Sequence, residues 1–139
     1  MPRRLAITAP HKIEVIEYED RALGDQEVLV RTEIASGKHG TTVAGFEGVN
    51  FRGQRFDQEM RIFVDAPAAA PTGRRAEPGG TGTAGVGVIR QTGAAVTRWA
   101  VGDRVFGYMD VRETNICRED GLWPLGDLDP ELALCAEPA

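Results

Sequence analysis

A glycine-rich segment, residues 82–107, limits what this chain can fold into more than any other stretch of its sequence. Its first part alternates with a period of two, as a strand does, through Val86, Val88 and Arg90. Glycine inside a strand indicates a close backbone approach or a β-bulge. Thr92 and Gly93 then break the alternation, which predicts a turn that needs a positive φ. The segment therefore predicts a closely packed strand followed by a turn.

The same segment closes with Val101-Gly102-Asp103-Arg104-Val105, which predicts a second turn and the start of another strand. This phrase, with Gly82-Thr83-Ala84 before it, resembles the signature of the medium-chain dehydrogenase/reductase superfamily, which includes zinc-type alcohol dehydrogenases and quinone reductases. Members tend to read Gly-His-Glu at the earlier phrase, so the zinc motif is degenerate here. The resemblance covers nearly the whole chain. It implies a mainly β fold, the GroES-like, partly open β-barrel with short helices that forms the N-terminal catalytic domain of these proteins.

Three strands are predicted from the first third of the chain. Residues 3–8 and 12–18 are expected to form a hairpin around a turn at Ala9-Pro10-His11. Residues 27–34 give the clearest strand, because one face carries the apolar or β-branched residues Val28, Val30, Thr32 and Ile34. These strands would supply much of the barrel.

The middle and the end of the chain carry weaker signals. Residues 45–65 are expected to form a loop with a helical turn near 57–60, which either lines a substrate cleft or only covers the barrel. Residues 66–80 are rich in proline, alanine and glycine, and are expected to form a flexible loop. Asp129 and Pro130 predict a helix start, with Asp as the N-cap and Pro at the first helical position.

The composition is that of one soluble domain covering residues 1–139. Hydrophobic residues make up 42% and charged residues 27%, and no apolar run approaches the length of a membrane span. A net charge of −5 without a basic stripe argues against a nucleic-acid partner. Cys117 and Cys135 have neither metal-site nor disulfide spacing, and we expect two buried thiols. We therefore expect a cytoplasmic protein that binds neither nucleic acid nor a membrane.

The run from Ser36 to Thr42 carries the candidate site residues. It resembles the family phrase Cys-Gly-x-Cys-Gly-Ser-Asp, which places His39 at a zinc-ligand position and Thr41 at the position of a hydroxyl that relays the substrate proton. The resemblance thus implies Thr41 as the first candidate catalytic residue and His39 as the second. It also implies Gly40 and Thr41 as cofactor-binding residues.

A catalytic zinc needs three protein ligands and an open position. The positions that match the family's ligands hold His39, Thr83 and Glu137, and threonine is a poor zinc ligand. We therefore do not expect a metal site. Two interpretations of His39 stay open, a polar site residue without metal and an ordinary surface histidine.

A dinucleotide-type pattern, G-x-G-x-x-G, occurs at residues 80–85. That fingerprint works when a strand precedes it and a helix follows, since the pyrophosphate then meets the helix N-terminus. Here a proline-rich stretch precedes it and a predicted strand follows, so we do not expect it to bind a dinucleotide. We expect no Rossmann domain within residues 1–139.

Two classes of function remain open. The resemblance implies the catalytic-domain portion of an NAD(P)-dependent, zinc-independent oxidoreductase that transfers hydride to or from a carbonyl or an activated double bond. NAD(P)H and a small-molecule substrate would then meet at this domain, with a Rossmann cofactor-binding domain or chain as partner. Whether residues 1–139 act as an enzyme without that partner stays open. The alternative is a non-catalytic binding or assembly module, and either form could be a homo-oligomer.

Overall fold

The computed structural model describes residues 1–47, 54–65 and 79–136. The strands in these ranges are β1 (Arg3–Ala9), β2 (Lys12–Glu17), β3 (Glu27–Ser36), β4 (Gln54–Asp57), β5 (Ile62–Asp65), β6 (Ala84–Thr92), β7 (Arg104–Gly107), β8 (Thr114–Arg118) and β9 (Leu122–Pro124). The α-helices are α1 (His39–Phe46) and α2 (Pro130–Ala133). The predicted class is confirmed, a mainly β, partly open GroES-like barrel with short helices.

The central sheet has five strands in the order β8-β3-β6-β7-β9, and every neighbouring pair is antiparallel. The predicted hairpin of β1 with β2 is confirmed, and β4 pairs with β5 in a third, separate sheet. The main core lies on one face of the central sheet and consists of Val28, Val30, Ile89, Val105, Met109 and Leu122. Each of these side chains is completely buried, and Val28 and Val30 belong to β3, the clearest strand of the sequence.

The glycine pattern in β6 has the predicted cause. Thr32 of β3 pairs with Gly87, and a Cβ atom at Gly87 would overlap the Arg31 carbonyl oxygen and come within 2.6 Å of Val30 Cγ1. The register also shifts twice along this pair, as β-bulges do. The prediction of a close backbone approach or a bulge is therefore confirmed, because this strand pair contains both.

The prediction of a positive φ at Thr92-Gly93 was wrong. Positive φ occurs instead at Gly102, in the turn before β7, where φ is 100°. Gly93 is required for space, because a Cβ there would overlap the Gly24 carbonyl oxygen and lie 2.5 Å from that of Asp25. The sequence signalled a glycine requirement correctly, but its physical reason is a tertiary contact.

The described part of residues 45–65 differs from the predicted loop with a helical turn. Residues 54–65 form the β4–β5 hairpin, and the Asp57 carboxylate accepts hydrogen bonds from the Glu59 and Met60 backbone amides within its turn. The helical-turn prediction was wrong because an aspartate can organise a tight hairpin turn with the same residue spacing. Residues 66–78 of the predicted flexible loop lie outside the described residues. Gly79, next to them, bridges to Ile7 of β1.

The predicted helix start at Asp129 is confirmed in detail. The Asp129 carboxylate accepts hydrogen bonds from the Glu131 and Leu132 amides, and Pro130 is the first residue of α2. Ala133 of α2 packs into a second small core with Val86 and Leu125. No helix in the part of the chain that the structure describes is both long and apolar enough to cross a membrane.

Candidate active site at the start of helix α1

The two segments that resemble the family's ligand phrases lie side by side. The Thr83 backbone amide donates a hydrogen bond to the Ser36 carbonyl oxygen, with a distance of 2.8 Å. The Thr42 hydroxyl donates to the Thr81 carbonyl oxygen at 3.2 Å. Gly37 makes this contact possible, since a Cβ there would overlap the same Thr81 oxygen and lie 2.6 Å from Thr42 Oγ1. The fold thus joins the end of β3 to the segment that begins β6.

The residues from Ser36 to Thr42 span the end of a strand and the start of a helix. β3 continues to Ser36, and α1 begins at His39 after two connecting residues. His39 and Gly40 are exposed in the first turn of α1, and an added Cβ at Gly40 would meet no atom of the described residues within 4 Å. The Thr41 backbone belongs to the same turn, and its side chain lies outside the described residues. The N-cap residue, Lys38, makes no side-chain capping hydrogen bond to the helix.

The zinc-ligand positions are only partly described. His39 is exposed, Thr83 is half-buried, and Glu137 lies outside the described residues. In residues 1–47, 54–65 and 79–136, no group of three His, Cys, Asp or Glu side chains is placed to hold a metal ion. The donor that a zinc site would need at position 83 is a threonine, which suits zinc poorly. A zinc-free site remains the prediction.

The glycine fingerprint encloses a carboxylate of the chain itself. Asp110 Oδ1 accepts hydrogen bonds from the backbone amides of Thr81, Gly82 and Val111, at 2.8, 2.7 and 2.9 Å. Consecutive backbone amides that converge in this way form an anion-binding nest. These amides already hold Asp110 in the folded chain, and the absence of dinucleotide binding at this motif stays a prediction. Sequence reasoning missed Asp110, because nothing in the spacing of the motif indicates which distant carboxylate fills it.

An aromatic cavity of about 220 Å³ lies beside Thr83, and the sequence did not predict it. Its walls include Thr83, Ala84, Phe106, Tyr108, Trp123 and Ala133. Phe106 of β7 and Trp123 of β9 face each other across the strand pair, with ring centroids 6.0 Å apart. Two aromatic residues on adjacent strands could have suggested this cavity, but only the strand pairing places them together.

The two cysteines differ, and the prediction that both are buried was wrong for Cys135. Cys135 is exposed, whereas Cys117 packs against the main core. Burial raises the pKa of the Cys117 thiol to about 11. At neutral pH this thiol is protonated and is a poor nucleophile. Cys117 therefore serves the core and has no part in the candidate site.

Comparisons with known proteins concern the chain as a whole. No family model matches the chain. It is 35% identical over 142 residues to D-guloside 3-dehydrogenase of Escherichia coli, a match that covers 99% of this chain and 41% of that protein. A second D-guloside 3-dehydrogenase, from Shigella flexneri, is 39% identical over 115 residues, covering 82% of this chain and 33% of that protein.

Solved structures give the same result. The chain superimposes on a quinone oxidoreductase of Pseudomonas syringae with a TM-score of 0.68 and 26% identity, covering 99% of this chain and 38% of that one. An E. coli quinone oxidoreductase crystallised with NADPH has the same fold, with a TM-score of 0.60, 16% identity, and coverage of 97% and 36%. The chain spans about two-fifths of the length of these proteins. The resemblance is therefore confirmed: over nearly its whole length this chain is similar in sequence and fold to a part of medium-chain dehydrogenases/reductases.

Proposed function

We propose that this chain is the GroES-like, substrate-side portion of an oxidoreductase that transfers hydride between NAD(P)(H) and a carbonyl or activated double bond without a catalytic zinc. The single observation that carries the proposal is the 35% identity to an E. coli D-guloside 3-dehydrogenase over 99% of the chain. That relative's name also makes a sugar hydroxyl or its ketone the first substrate class to test.

The start of α1 suits one end of such a cofactor. His39 and Gly40 are exposed there, and no described atom lies close to the open face of Gly40. When bound, a nicotinamide supplies the hydride chemistry, and the protein supplies orientation and a proton path. A Rossmann-type domain or chain would hold the rest of the cofactor.

The proton path is the part that this chain would supply. In our proposal the Thr41 hydroxyl donates or accepts the substrate proton as hydride transfer changes the charge on the substrate oxygen. His39, two residues earlier in the same turn, is the second candidate for this role. Thr83 at the zinc-ligand position supports a mechanism in which proton transfer, rather than a metal, stabilises that oxygen.

The aromatic cavity beside Thr83 would receive the substrate body. Phe106, Tyr108 and Trp123 offer flat apolar surfaces, and Thr83 brings a polar group to the same wall. Such a mixture of apolar walls and few polar groups is typical of small-molecule sites. The cavity adjoins the Ser36–Thr83 contact, so a ligand there would lie near the start of α1.

A chimera tests the proposal. This chain replaces the matched region of E. coli D-guloside 3-dehydrogenase, and oxidation of D-guloside is measured with NAD and with NADP. Thr41→Val removes the hydroxyl and keeps the side-chain shape, so it should lower kcat by about a hundredfold or more, while Thr41→Ser keeps most activity. A folded chimera without turnover on D-guloside, keto sugars, enones or quinones would favour the binding-module alternative. Equal rates for Thr41→Val and wild type would remove Thr41 from the mechanism.

A further inference from the structure

We propose that Asp110 is a positioning residue for the candidate active site. It fixes the glycine segment at residues 80–83, and that segment in turn fixes the end of β3 and the start of α1. The inference rests on the proposed function only in naming residues 36–42 as the site. The mechanical link itself depends on contacts that are independent of any substrate.

The first step is the nest around the carboxylate. One oxygen, Asp110 Oδ1, accepts hydrogen bonds from the backbone amides of Thr81, Gly82 and Val111 at distances from 2.7 to 2.9 Å. Hydrogen bonds to a charged acceptor are roughly twice as strong as those between neutral groups. Three of them on one atom hold the Thr81–Gly82 backbone firmly against Asp110.

The second step is the space that the glycines leave. An added Cβ at Gly82 would lie 2.5 Å from Asp110 Cα, Met109 O and Val111 N. At Gly80 it would lie 3.0 Å from Asp110 Oδ2. Gly82 is therefore required for the approach of Asp110, and Gly80 leaves room for its carboxylate, which gives these two glycines a purpose other than dinucleotide binding.

The third step is a rigid base for Asp110. The Asp110 amide donates to Asn115 Oδ1 at 3.0 Å, and Asn115 Nδ2 donates to the Asp110 carbonyl oxygen at 3.1 Å. The same Asn115 amide group donates to Thr32 Oγ1 at 2.9 Å, which ties it from β8 to β3. Asn115 is buried. Both the amide and the carbonyl group of Asp110 are thus hydrogen-bonded to Asn115 of the central sheet.

The last step runs from the glycine segment to the candidate site. The Thr81 amide donates a hydrogen bond to the Asp110 carboxylate, and the Thr81 carbonyl oxygen accepts one from the Thr42 hydroxyl. Two residues later, the Thr83 amide donates a hydrogen bond to the Ser36 carbonyl oxygen. Residues 36–42, which carry His39, Gly40 and Thr41, are therefore held on both sides by a segment whose own position depends on the Asp110 carboxylate.

The test compares Asp110→Ala with Asp110→Asn in the intact chain by NMR and amide hydrogen exchange. Asparagine keeps an oxygen where Oδ1 lies but removes the charge, so it should rescue much of what alanine loses. In Asp110→Ala we expect exchange at Thr81 and Gly82 to be more than about tenfold faster. We also expect shifted resonances for the His39 ring and the Gly40 and Thr41 amides. The Trp99 indole N–H, which donates a hydrogen bond to the Glu119 carbonyl oxygen, is the internal reference, and its exchange rate should not change.

Asp127→Ala is the matched control, since Asp127 is exposed beyond β9. Uniformly faster exchange that includes Trp99 would mean that Asp110 contributes only to global stability, and would overturn the proposal. Changes confined to residues 80–82 and 111, with residues 36–42 unaltered in Asp110→Asn and Asp110→Ala, would also overturn it. If the alanine variant does not fold, Asp110→Asn decides alone: loss of the charge should still shift the Thr81, Gly82 and Gly40 amides, by less than full removal of the carboxylate would, and shifted Thr81 and Gly82 amides beside unaltered residues 36–42 would overturn the proposal. No cofactor or substrate enters this experiment, so its failure is separate from a failure of the chimera assay.

Discussion

The two ends of strand β3 are built differently. In its first half, Val28 to Arg31 are paired on both sides, with β8 and with β6, and Val28 and Val30 are completely buried. Its last residues, Ile34 to Ser36, pair with β6 in the described chain and lead directly into α1. The first half is held by core packing, whereas the segment from Ser36 to Thr42, which follows the strand, is held by a few directed contacts to Thr81 and Thr83.

This difference separates the frame from the candidate site. A strand with neighbours on both sides and a buried face is costly to disturb, because its side chains are tightly packed and cannot easily move. A segment held by a few hydrogen bonds is less costly to change and leaves polar groups and helix ends available to ligands. The candidate residues His39, Gly40 and Thr41 all belong to the second kind of segment.

The largest expected effect comes from Gly87→Ala, in the frame. The added Cβ would overlap the Arg31 carbonyl oxygen and crowd Val30 Cγ1 at 2.6 Å, and neither the backbone nor a buried side chain can move far. We expect the free energy of unfolding to fall by about 3 kcal/mol, measured by urea unfolding. Gly121→Ala is the control, because its added Cβ would meet no atom of the described residues within 4 Å. Equal stability of the two variants would contradict the close β3–β6 contact.

A smaller loss is expected from Gly37→Ala, at the site end of the strand. The added Cβ would overlap the Thr81 carbonyl oxygen, but the segment can move away from it at the cost of a few hydrogen bonds. We expect about 1–2 kcal/mol of destabilisation in the same urea unfolding experiment. The chemical shifts of the Thr83 and Thr42 amides should also change. A loss as large as that of Gly87→Ala would mean that the site segment belongs to the rigid frame.

Gly40→Ala should change stability in the opposite direction. Gly40 lies inside α1 with no described atom near its open face, and alanine is the better helix former. We expect a gain of about 0.5 kcal/mol in thermal unfolding, together with weaker dinucleotide binding in the chimera if Gly40 contacts the cofactor. Destabilisation by Gly40→Ala would show that α1 is not a regular helix at this position.

The smallest effect concerns the anchored start of β3 and depends on pH. The Glu27 carboxylate accepts two hydrogen bonds from Arg21, at 2.6 and 2.7 Å, and one from the Gly24 amide. The Arg21 hydrogen bonds, helped by the Gly24 amide, lower the pKa of Glu27 to about 2. A carboxyl that holds its proton more weakly when folded stabilises the protein above its unfolded pKa, ordinarily near 4.5, and loses that contribution as the pH falls toward 2.

Thermal unfolding between neutral pH and pH 2 measures this contribution. Glu27→Gln should lower the stability at neutral pH and flatten the acid part of the profile, while both proteins converge near pH 2. Glu19→Gln, at an exposed residue, serves as the control and should follow the wild type. Parallel profiles for wild type and Glu27→Gln would rule out the Glu27–Arg21 pair as an acid-sensitive anchor.

Local signals in the sequence were enough to define the frame. The period-two pattern identified β3 and β6, the Ala9-Pro10-His11 turn identified the first hairpin, and Asp129 with Pro130 located the start of α2. Each of these features depends on residues close to each other along the chain. The glycines of β6 were also correctly assigned to close packing, because glycine weakens a strand unless the missing side chain makes room for a neighbour or a bulge.

The sequence also indicated part of the candidate site, but through a resemblance. His39, Gly40 and Thr41 were named because their spacing matches a family phrase, and their roles remain predictions. The same phrase gave no reason to expect a helix starting at His39. The eight residues of α1 have low helix propensity, two of them being glycine, and the helix lies where Gly37 and Thr42 fit against Thr81 after β3 ends.

Tertiary structure alone decided the remaining features. Asp110 meets Thr81 and Gly82 from 29 and 28 positions away, and Phe106 meets Trp123 only through the pairing of β7 with β9. Gly93 is required because residues 24 and 25 pass over it. A sequence carries no record of which distant atom will fill a gap, since that depends on how the strands pair and bulge. The glycines were visible in the sequence, but the groups that need their space became identifiable only in the folded chain.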